Sequence, residues 1–293
     1  MATTMTIFEL VKIALDELYD DAVAEYGAEG VDAEIQGRVI YLSNSYGQLH
    51  SPNRQPVDYS DPATRFAYVY KYVATHGDYL VQALTRLREY NKGTPFCSTD
   101  QLRVSCIGGG PGSDIIGLVK YLSDRPDEKF GKLTCYLLDG EQAWADTWTE
   151  VGSSLPVNGS VDVNFQPLDV TKPNTWKAQK KFLKADIFTM IYFVSEVCSL
   201  DDGTVAQFFE TIFDSAKSGA VFIYVDNGHP TFDNYFDLRW KKRGDIECLY
   251  ECTSETHTPN YSEQKSEFGE FLTKFGHMPK LQSNLSMRIL LKQ

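Results

Sequence analysis

Apolar residues near the N-terminus recur at helical spacing. Ile7, Leu10, Val11, Ile13, Ala14, Leu15 and Leu18 fall close to a period of about 3.6. Further on, Asp61-Pro62 reads as a cap followed by proline at the first helical position. From there to Tyr90 runs an amphipathic segment carrying Phe66, Val69, Tyr70, Val73, Tyr79, Leu80, Leu84 and Leu87, with Gly77 as its expected break or kink. The stretch between these helical regions, from Ser43-Asn44-Ser45-Tyr46-Gly47 to Asp58-Tyr59-Ser60, is polar and holds two prolines. It predicts a long loop, and long ordered loops are often functional.

After Lys92-Gly93-Thr94-Pro95 the pattern changes to short apolar runs alternating with helical ones. Strands are predicted at Leu102–Ile107, Leu133–Leu138, Val161–Phe165, Asp186–Phe193 and Ala220–Val225. Helices are predicted at Ile115–Leu122, Gln142–Val151, Trp176–Leu183 and Thr204–Ala216. Two late strands, Ile246–Cys252 and Leu285–Leu291, flank a helix over Glu263–Phe275. Strands alternating with helices imply an α/β fold: a doubly wound, seven-stranded, mostly parallel sheet. Residues 1–95 would then form an N-terminal helical lobe or lid, and 96–293 the core.

Ligands of such sheets bind beyond the carboxyl ends of the strands. The first strand ends in Gly108-Gly109-Gly110-Pro111-Gly112, where absent Cβ atoms permit a sharp turn and close ligand approach. The second strand ends at Asp139, whose carboxylate can accept from both hydroxyls of a ribose. The competing reading of Asp139 is an ordinary acid at a strand end. A dinucleotide fingerprint, G-x-G-x-x-G/A, places Ser113 at its third small position, and Pro111 removes an N–H from the loop. Both features disfavour a pyrophosphate ligand.

Composition narrows the classes further. The net charge of -12 argues against a DNA partner. Two local basic runs, Lys177–Lys184 and Arg239–Arg243, read as solvated helix faces. No stretch reaches the roughly 20 apolar residues of a membrane span, and Met1-Ala2-Thr3-Thr4 opens no signal-peptide pattern. The six cysteines lack paired metal-ligand spacing, so no metal and no disulfides are expected, and the chain reads as cytoplasmic.

In combination these segments resemble class I S-adenosylmethionine-dependent methyltransferases. The resemblance rests on Val104-Ser105-Cys106-Ile107-Gly108-Gly109-Gly110-Pro111-Gly112-Ser113-Asp114, on Asp139, on Phe165-Gln166-Pro167-Leu168-Asp169-Val170, and on Asp186–Phe193, covering roughly residues 100–230. It implies a Rossmann-like methyltransferase fold with S-adenosyl-L-methionine as cofactor. It places Gly108, Gly110, Gly112, Asp139, Asp169, Val170 and Phe193 at the cofactor, with Asp139 on the ribose and Asp169 on the adenine amino group. The sequence departs from the family at Cys106, where many members carry an acid two residues before the first glycine.

Methyl transfer is an in-line displacement that mainly requires positioning, with a base where the acceptor carries a proton. The acceptor should approach the ends of the fourth and fifth strands. Glu196 and His229 are the candidate catalytic residues there, and capping of helices or loops is the alternative role of each. Ser195, Asp226 and Asn227 lie in the same segments, Asn227 as a candidate substrate contact. Tyr46, Tyr59, Tyr68, Tyr70, Tyr72, His76 and Tyr79 make the N-terminal region rich in rings, and Tyr68 and Tyr72 are expected at the substrate. Rings of this kind hold cations, or simply pack a core. Strand four lacks an Asn/Asp-Pro-Pro-Tyr/Phe or Pro-Cys signature. The leading expectation is a small-molecule N or O acceptor. Alternatives are a protein or RNA acceptor, a non-catalytic cofactor-binding module, and a nicotinamide-dependent oxidoreductase. The oligomeric state is not legible.

Overall fold

The computed structural model describes residues 5–49, 51, 55–90, 101–125, 131–154, 160–259 and 262–293. The expected boundary at 95/96, the break at Lys92–Pro95 and Cys97 lie outside the described residues.

Three helical stretches precede the sheet. Helix α1 (Ile7–Tyr26) starts at a capping box in which Thr6 Oγ1 accepts from the Glu9 N–H and Glu9 accepts from the Thr6 N–H. Its buried face takes in the periodic set read from the sequence except Ile13, which is only partly buried, and adds Phe8 and Ala22. Helix α2 (Val31–Tyr46) buries Val31, Ile35, Val39 and Leu42. The expected loop therefore begins only after Tyr46. Those few anchors sit among polar residues, so the helix gives a weak periodic signal and depends on tertiary packing. Helix α3 (Pro62–Tyr68) has Asp61 as its cap, accepting from the Ala63 N–H. It runs through a π-helical turn (Val69–Val73) into α4 (Ala74–Glu89).

Gly77 does not break this run. A Cβ there would lie 3.2 Å from Ser113 O, and one on Gly117 would lie 2.6 Å from Gly77 O. The two glycines let α4 and α5 (Ser113–Ser123) touch backbone to backbone.

The strands are β1 (Gln101–Ile107), β2 (Lys132–Asp139), β3 (Ser160–Pro167), β4 (Ile187–Ile191), β5 (Val221–Asn227), β6 (Ile246–His257) and β7 (Ser283–Lys292). They form one sheet in the order β3-β2-β1-β4-β5-β7-β6. β7 pairs antiparallel with both β5 and β6, and the other pairings are parallel. This is the doubly wound, mostly parallel, Rossmann-like sheet expected. β4 stops at Ile191 because Tyr192 turns to φ 55°, a left-handed conformation.

The remaining helices are α6 (Ala143–Ser154), α7 (Pro173–Trp176), α8 (Val194–Val197), α9 (Thr204–Ser215), α10 (Pro230–Trp240) and α11 (Phe271–Lys274). Three expectations are corrected here. The helix expected over Trp176–Leu183 resolves into α7 and a 3-10 turn at Phe182–Lys184. The one expected over Glu263–Phe275 is a 3-10 segment (Ser262–Phe268) and α11, interrupted by Gly269 at φ 57°. α10 was not foreseen, although Phe232, Phe236 and Trp240 recur every four residues on its buried face; its start is fixed by Pro230 after His229.

Helices cover both faces. One buried cluster joins α1–α6 to the sheet, and a second packs α7, α9 and α10 on the other side. No helix of the described residues is long and apolar enough to cross a membrane. The basic run at Arg239–Arg243 is largely neutralised: Arg239 pairs with Asp201, Lys241 with Asp237 and Glu251, and Arg243 with Glu210, Asp214 and Asp245.

Candidate functional site

The strand order reverses between β1 and β4, and the crevice beyond their carboxyl ends is where an open sheet receives a ligand. Two cavities lie there. The larger, of about 500 Å3, is lined by Gly108, Asp139, Asp169, Val170, Phe193 and Glu196 among others.

The glycine loop is braced rather than open. Gly108 and Gly109 N–H both donate to Leu138 O, Gly110 N–H to Asp139 Oδ2, and Gly112 N–H to Gly109 O. Pro111 has no N–H. Every donor of the loop is therefore used inside the protein, and none remains to cradle a phosphate. Gly108, at φ 66°, leaves room for the Phe193 ring across the switch point; a Cβ would lie 2.3 Å from it. Gly110 and Gly112 do not line the cavity. A Cβ on Gly110 would meet Asp139 and Trp144, and one on Gly112 would lie 1.3 Å from Trp148. Their absent side chains make room for these partners, and Trp148 Nε1 donates to Gly110 O at 2.7 Å.

Carboxylates dominate the wall: Asp114, Asp139, Glu141, Asp169 and Glu196, against Lys172 as the cation. Lys172 is already bound to Asp169 at 2.8 Å. Asp139 accepts from the N–H groups of Gly110 and Glu141, yet burial lifts its pKa to about 6. Asp114 is lifted to about 6 by burial too, and its Oδ1 has no hydrogen-bond partner among the described residues. It stands close to Cys106, the position where the sequence lacks an acid, and its charge helps hold the Cys106 thiol up, after hydrogen bonding to Cys135 and burial. Asp169 Oδ1 accepts from the N–H and hydroxyl of Thr171, which fixes its loop.

The second cavity, of about 320 Å3, shares Tyr68 and Tyr192 with the first. Its other walls include Tyr46, Tyr72, His76, Lys71, Ser195, Asn227 and Lys280. Four residues per step overshoots a turn of an α-helix by about 40°. The π turn takes up extra residues, which helps keep Tyr68, Tyr72 and His76 on one face. Tyr46 and Tyr59 hydroxyls bond to each other, and both rings pack on Tyr68. Burial, then the Glu196 charge, raises the pKa of Tyr46, Tyr59 and Tyr68 well above the usual phenol value. His76 is held neutral by burial and by Lys280.

The expected site residues thus divide. Tyr68 faces both cavities, Tyr72 and Asn227 line the smaller, and Glu196 lines the larger. His229 lines neither; it is exposed, and its Nδ1 accepts from the Thr231 N–H as the cap of α10. Of the expected rings, Tyr70 and Tyr79 turn away, donating to His277 O and His257 O. Asp226 is buried behind Ser195, accepts from the Ser195 and Asn227 N–H groups, and has its pKa raised to about 7 by burial. Sequence reasoning missed Lys71, Tyr192 and Lys280 as site residues. Lys71 sat one residue from a named tyrosine, but Lys280 arrives from the far end of the chain and had no local signal. Away from both cavities, Cys252, Glu255 and His257 bring ligand atoms within 4.8 Å of one another, although no metal site was expected.

No protein-family model matches the chain, and no curated protein does. Solved structures similar to it include the CurJ carbon methyltransferase, at 12% identity and a TM-score of 0.43, covering 94% of this chain and 70% of that one. The mitomycin 7-O-methyltransferase MmcR matches at 12% identity and 0.42, over 85% and 60%. The precorrin-6y C5,15-methyltransferase of Geobacter metallireducens matches at 10% identity and 0.40, over 73% and 87%.

Proposed function

We propose that this chain is a methyltransferase that binds S-adenosyl-L-methionine in the larger cavity and methylates a small molecule held in the smaller one. The observation that carries this reading is the larger cavity's charge. Five carboxylates line it, and the glycine loop beside it has no N–H to spare. Such a wall repels the pyrophosphate of a dinucleotide and attracts a ligand with a sulfonium and an ammonium group.

The residues present fit that cofactor. Asp139 retains lone pairs for ribose hydroxyls beyond its two backbone bonds. Asp169, Val170 and Phe193 line the same cavity as Asp139, which supports Asp169 and Val170 as the adenine's partners and Phe193 as an apolar face beside it. Asp114 Oδ1 supports a role in holding the ammonium group, in place of the acid that Cys106 replaces. When bound, the cofactor supplies the electrophilic methyl group. The chain's part is to orient the acceptor through Tyr68, Tyr72 and Asn227, to exclude water with the tyrosine cluster, and to hold a carboxylate, Glu196, beside the reacting centre. Desolvated positioning of this kind accounts for much of the rate in a displacement.

The test is thermal unfolding with S-adenosylmethionine and with NAD(P), since a ligand of the folded state raises its stability. Stabilisation by S-adenosylmethionine is expected. Stabilisation by NAD(P) alone overturns the reading. A screen with a radiolabelled methyl donor over amines, phenols, peptides and RNA then identifies the acceptor class.

A further inference from the structure

The smaller cavity carries the opposite charge to the larger. Lys71 and Lys280 both line it, and neither forms an ion pair with a carboxylate among the described residues. In a chain with 40 acids against 28 lysines and arginines, two cations left together beside a cavity are unexpected. Lys71 Nζ donates to Ser43 Oγ at 2.8 Å, and Lys280 Nζ stands 6.0 Å from the Tyr192 ring centre. Their backbones are tied: Lys280 N–H donates to Lys71 O at 2.8 Å, and Thr75 Oγ1 donates to Lys280 O. The pair is thus set in place by the fold before any ligand arrives. Burial, and for Lys280 the charge of Lys71, lowers both pKa values, as expected of ammonium groups that lack a counter-ion.

The rest of the wall is aromatic. His76 is stacked between Tyr192, at 3.8 Å, and Tyr72, at 5.6 Å. It is 97% buried, and its Nε2 has no partner among the described residues. In the tautomer protonated at Nδ1, a neutral imidazole presents Nε2 as the hydrogen-bond acceptor for a hydroxyl.

We propose that the smaller cavity is a subsite for an aromatic anion, with the anionic group held between Lys71 and Lys280, the ring between the tyrosines, and a hydroxyl directed at His76. This rests on the proposed methyl transfer and names its substrate class. A cationic amine is excluded by the two lysines. In the transfer, the acceptor oxygen forms a bond to the methyl carbon as the carbon–sulfur bond breaks. The sulfonium leaves as a neutral thioether, and the hydroxyl proton passes to the Glu196 carboxylate beside the reacting centre, while His76, held neutral, only orients the hydroxyl.

Calorimetry on the full chain without cofactor tests the subsite, with benzoate, 4-hydroxybenzoate, phenyl phosphate and benzylamine as probes. The expected result is saturable binding of the anionic probes and none of benzylamine. Phenyl phosphate and benzoate together show which anionic head the lysines prefer. Lys280→Met and Lys71→Met should each weaken the preferred anion at least about tenfold, the usual weight of a charge-assisted hydrogen bond. Neither variant should lower the melting temperature, because each removes a half-buried charge that has no carboxylate partner among the described residues. Stabilisation by S-adenosylmethionine should persist in both. Absence of anion binding, or unchanged affinity in both variants, overturns the subsite while leaving methyl transfer standing. Anion binding without any cofactor effect overturns methyl transfer and leaves the subsite standing.

Discussion

The imidazole of His76 lies flat on the ring of Tyr192, with centroids 3.8 Å apart and planes 9° apart. One residue comes from α4 and the other from the turn after β4, so this contact clamps the N-terminal helices to the sheet at the site. Tyr192 adopts φ 55°, which costs a non-glycine residue about 1 kcal/mol. Tyr192→Ala should destabilise the protein by about 3 kcal/mol, the common cost of removing a buried ring. Glycine is ordinarily worse than alanine by about 0.5–1 kcal/mol. Here Tyr192→Gly should equal or exceed Tyr192→Ala in urea midpoint, and a clearly lower midpoint for the glycine variant would contradict the left-handed turn.

Cofactor affinity should rise with pH across the acid range. Asp114 and Asp139 are each raised from 3.8 to about 6, chiefly by burial. The folded, ligand-free protein therefore holds protons that the unfolded chain releases. Its stability contribution from these groups falls as pH rises between about 4 and 6. A cationic ligand pairs with the ionised forms and reverses that penalty. Binding should be tighter at pH 7.5 than at pH 5.5 and should release protons near pH 6. Calorimetry in buffers of different ionisation enthalpy measures both, and flat or declining affinity would count against the acidic wall as the cofactor's partner.

Removing the charge of Asp114 or Asp139 separates binding from folding. Asp114→Asn and Asp139→Asn should each weaken S-adenosylmethionine at least about tenfold. Stability without ligand at pH 8 should hold or rise in Asp114→Asn, because burial already disfavours that charge, whereas Asp139→Asn should lose about 1–2 kcal/mol, because its amide can accept from only one of the Gly110 and Glu141 N–H groups. A large loss of ligand-free stability in Asp114→Asn would mean that this acid is structural.

Glu196 and His229 should behave differently. His229→Ala removes a helix cap and should cost about 1 kcal/mol, with methyl transfer nearly unchanged. Glu196→Gln removes a charge from the cavity wall and should lower turnover at least about tenfold with a small change in melting temperature. Steady-state kinetics and thermal melts on the two variants decide it; loss of turnover in His229→Ala alone would reverse the assignment.

Two glycines with positive φ should respond unequally to alanine. Gly203, at φ 102°, faces open space, so Gly203→Ala should cost about 1–2 kcal/mol of backbone strain. At Gly112, φ 83°, the added carbon lands 1.3 Å from Trp148, so Gly112→Ala should cost at least about 3 kcal/mol. Urea unfolding of both variants compares them directly.

The sequence by itself determined the alternation of strands and helices, the glycine turn after the first strand and the acid after the second. These are local signals: apolar period, turn chemistry and caps are set by neighbours along the chain. It also showed Asp61-Pro62 as a helix start, because a cap needs only its own first turn. Only the tertiary structure decided what depends on distant partners. Gly77 reads locally as a break, yet it serves close contact with Gly117. α2 and α10 each bury a single narrow row of apolar residues, Val31, Ile35, Val39 and Leu42 in one and Phe232, Phe236 and Trp240 in the other, and tertiary packing on that row is what holds them as helices. The site divides in the same way. Gly108, Asp139, Asp169 and Phe193 follow from strand ends, whereas Lys71 and Lys280 are brought to one cavity by a backbone bond between residues 209 positions apart. No local pattern encodes such a meeting, because it exists only once the π turn before α4 and the segment before β7 have packed together.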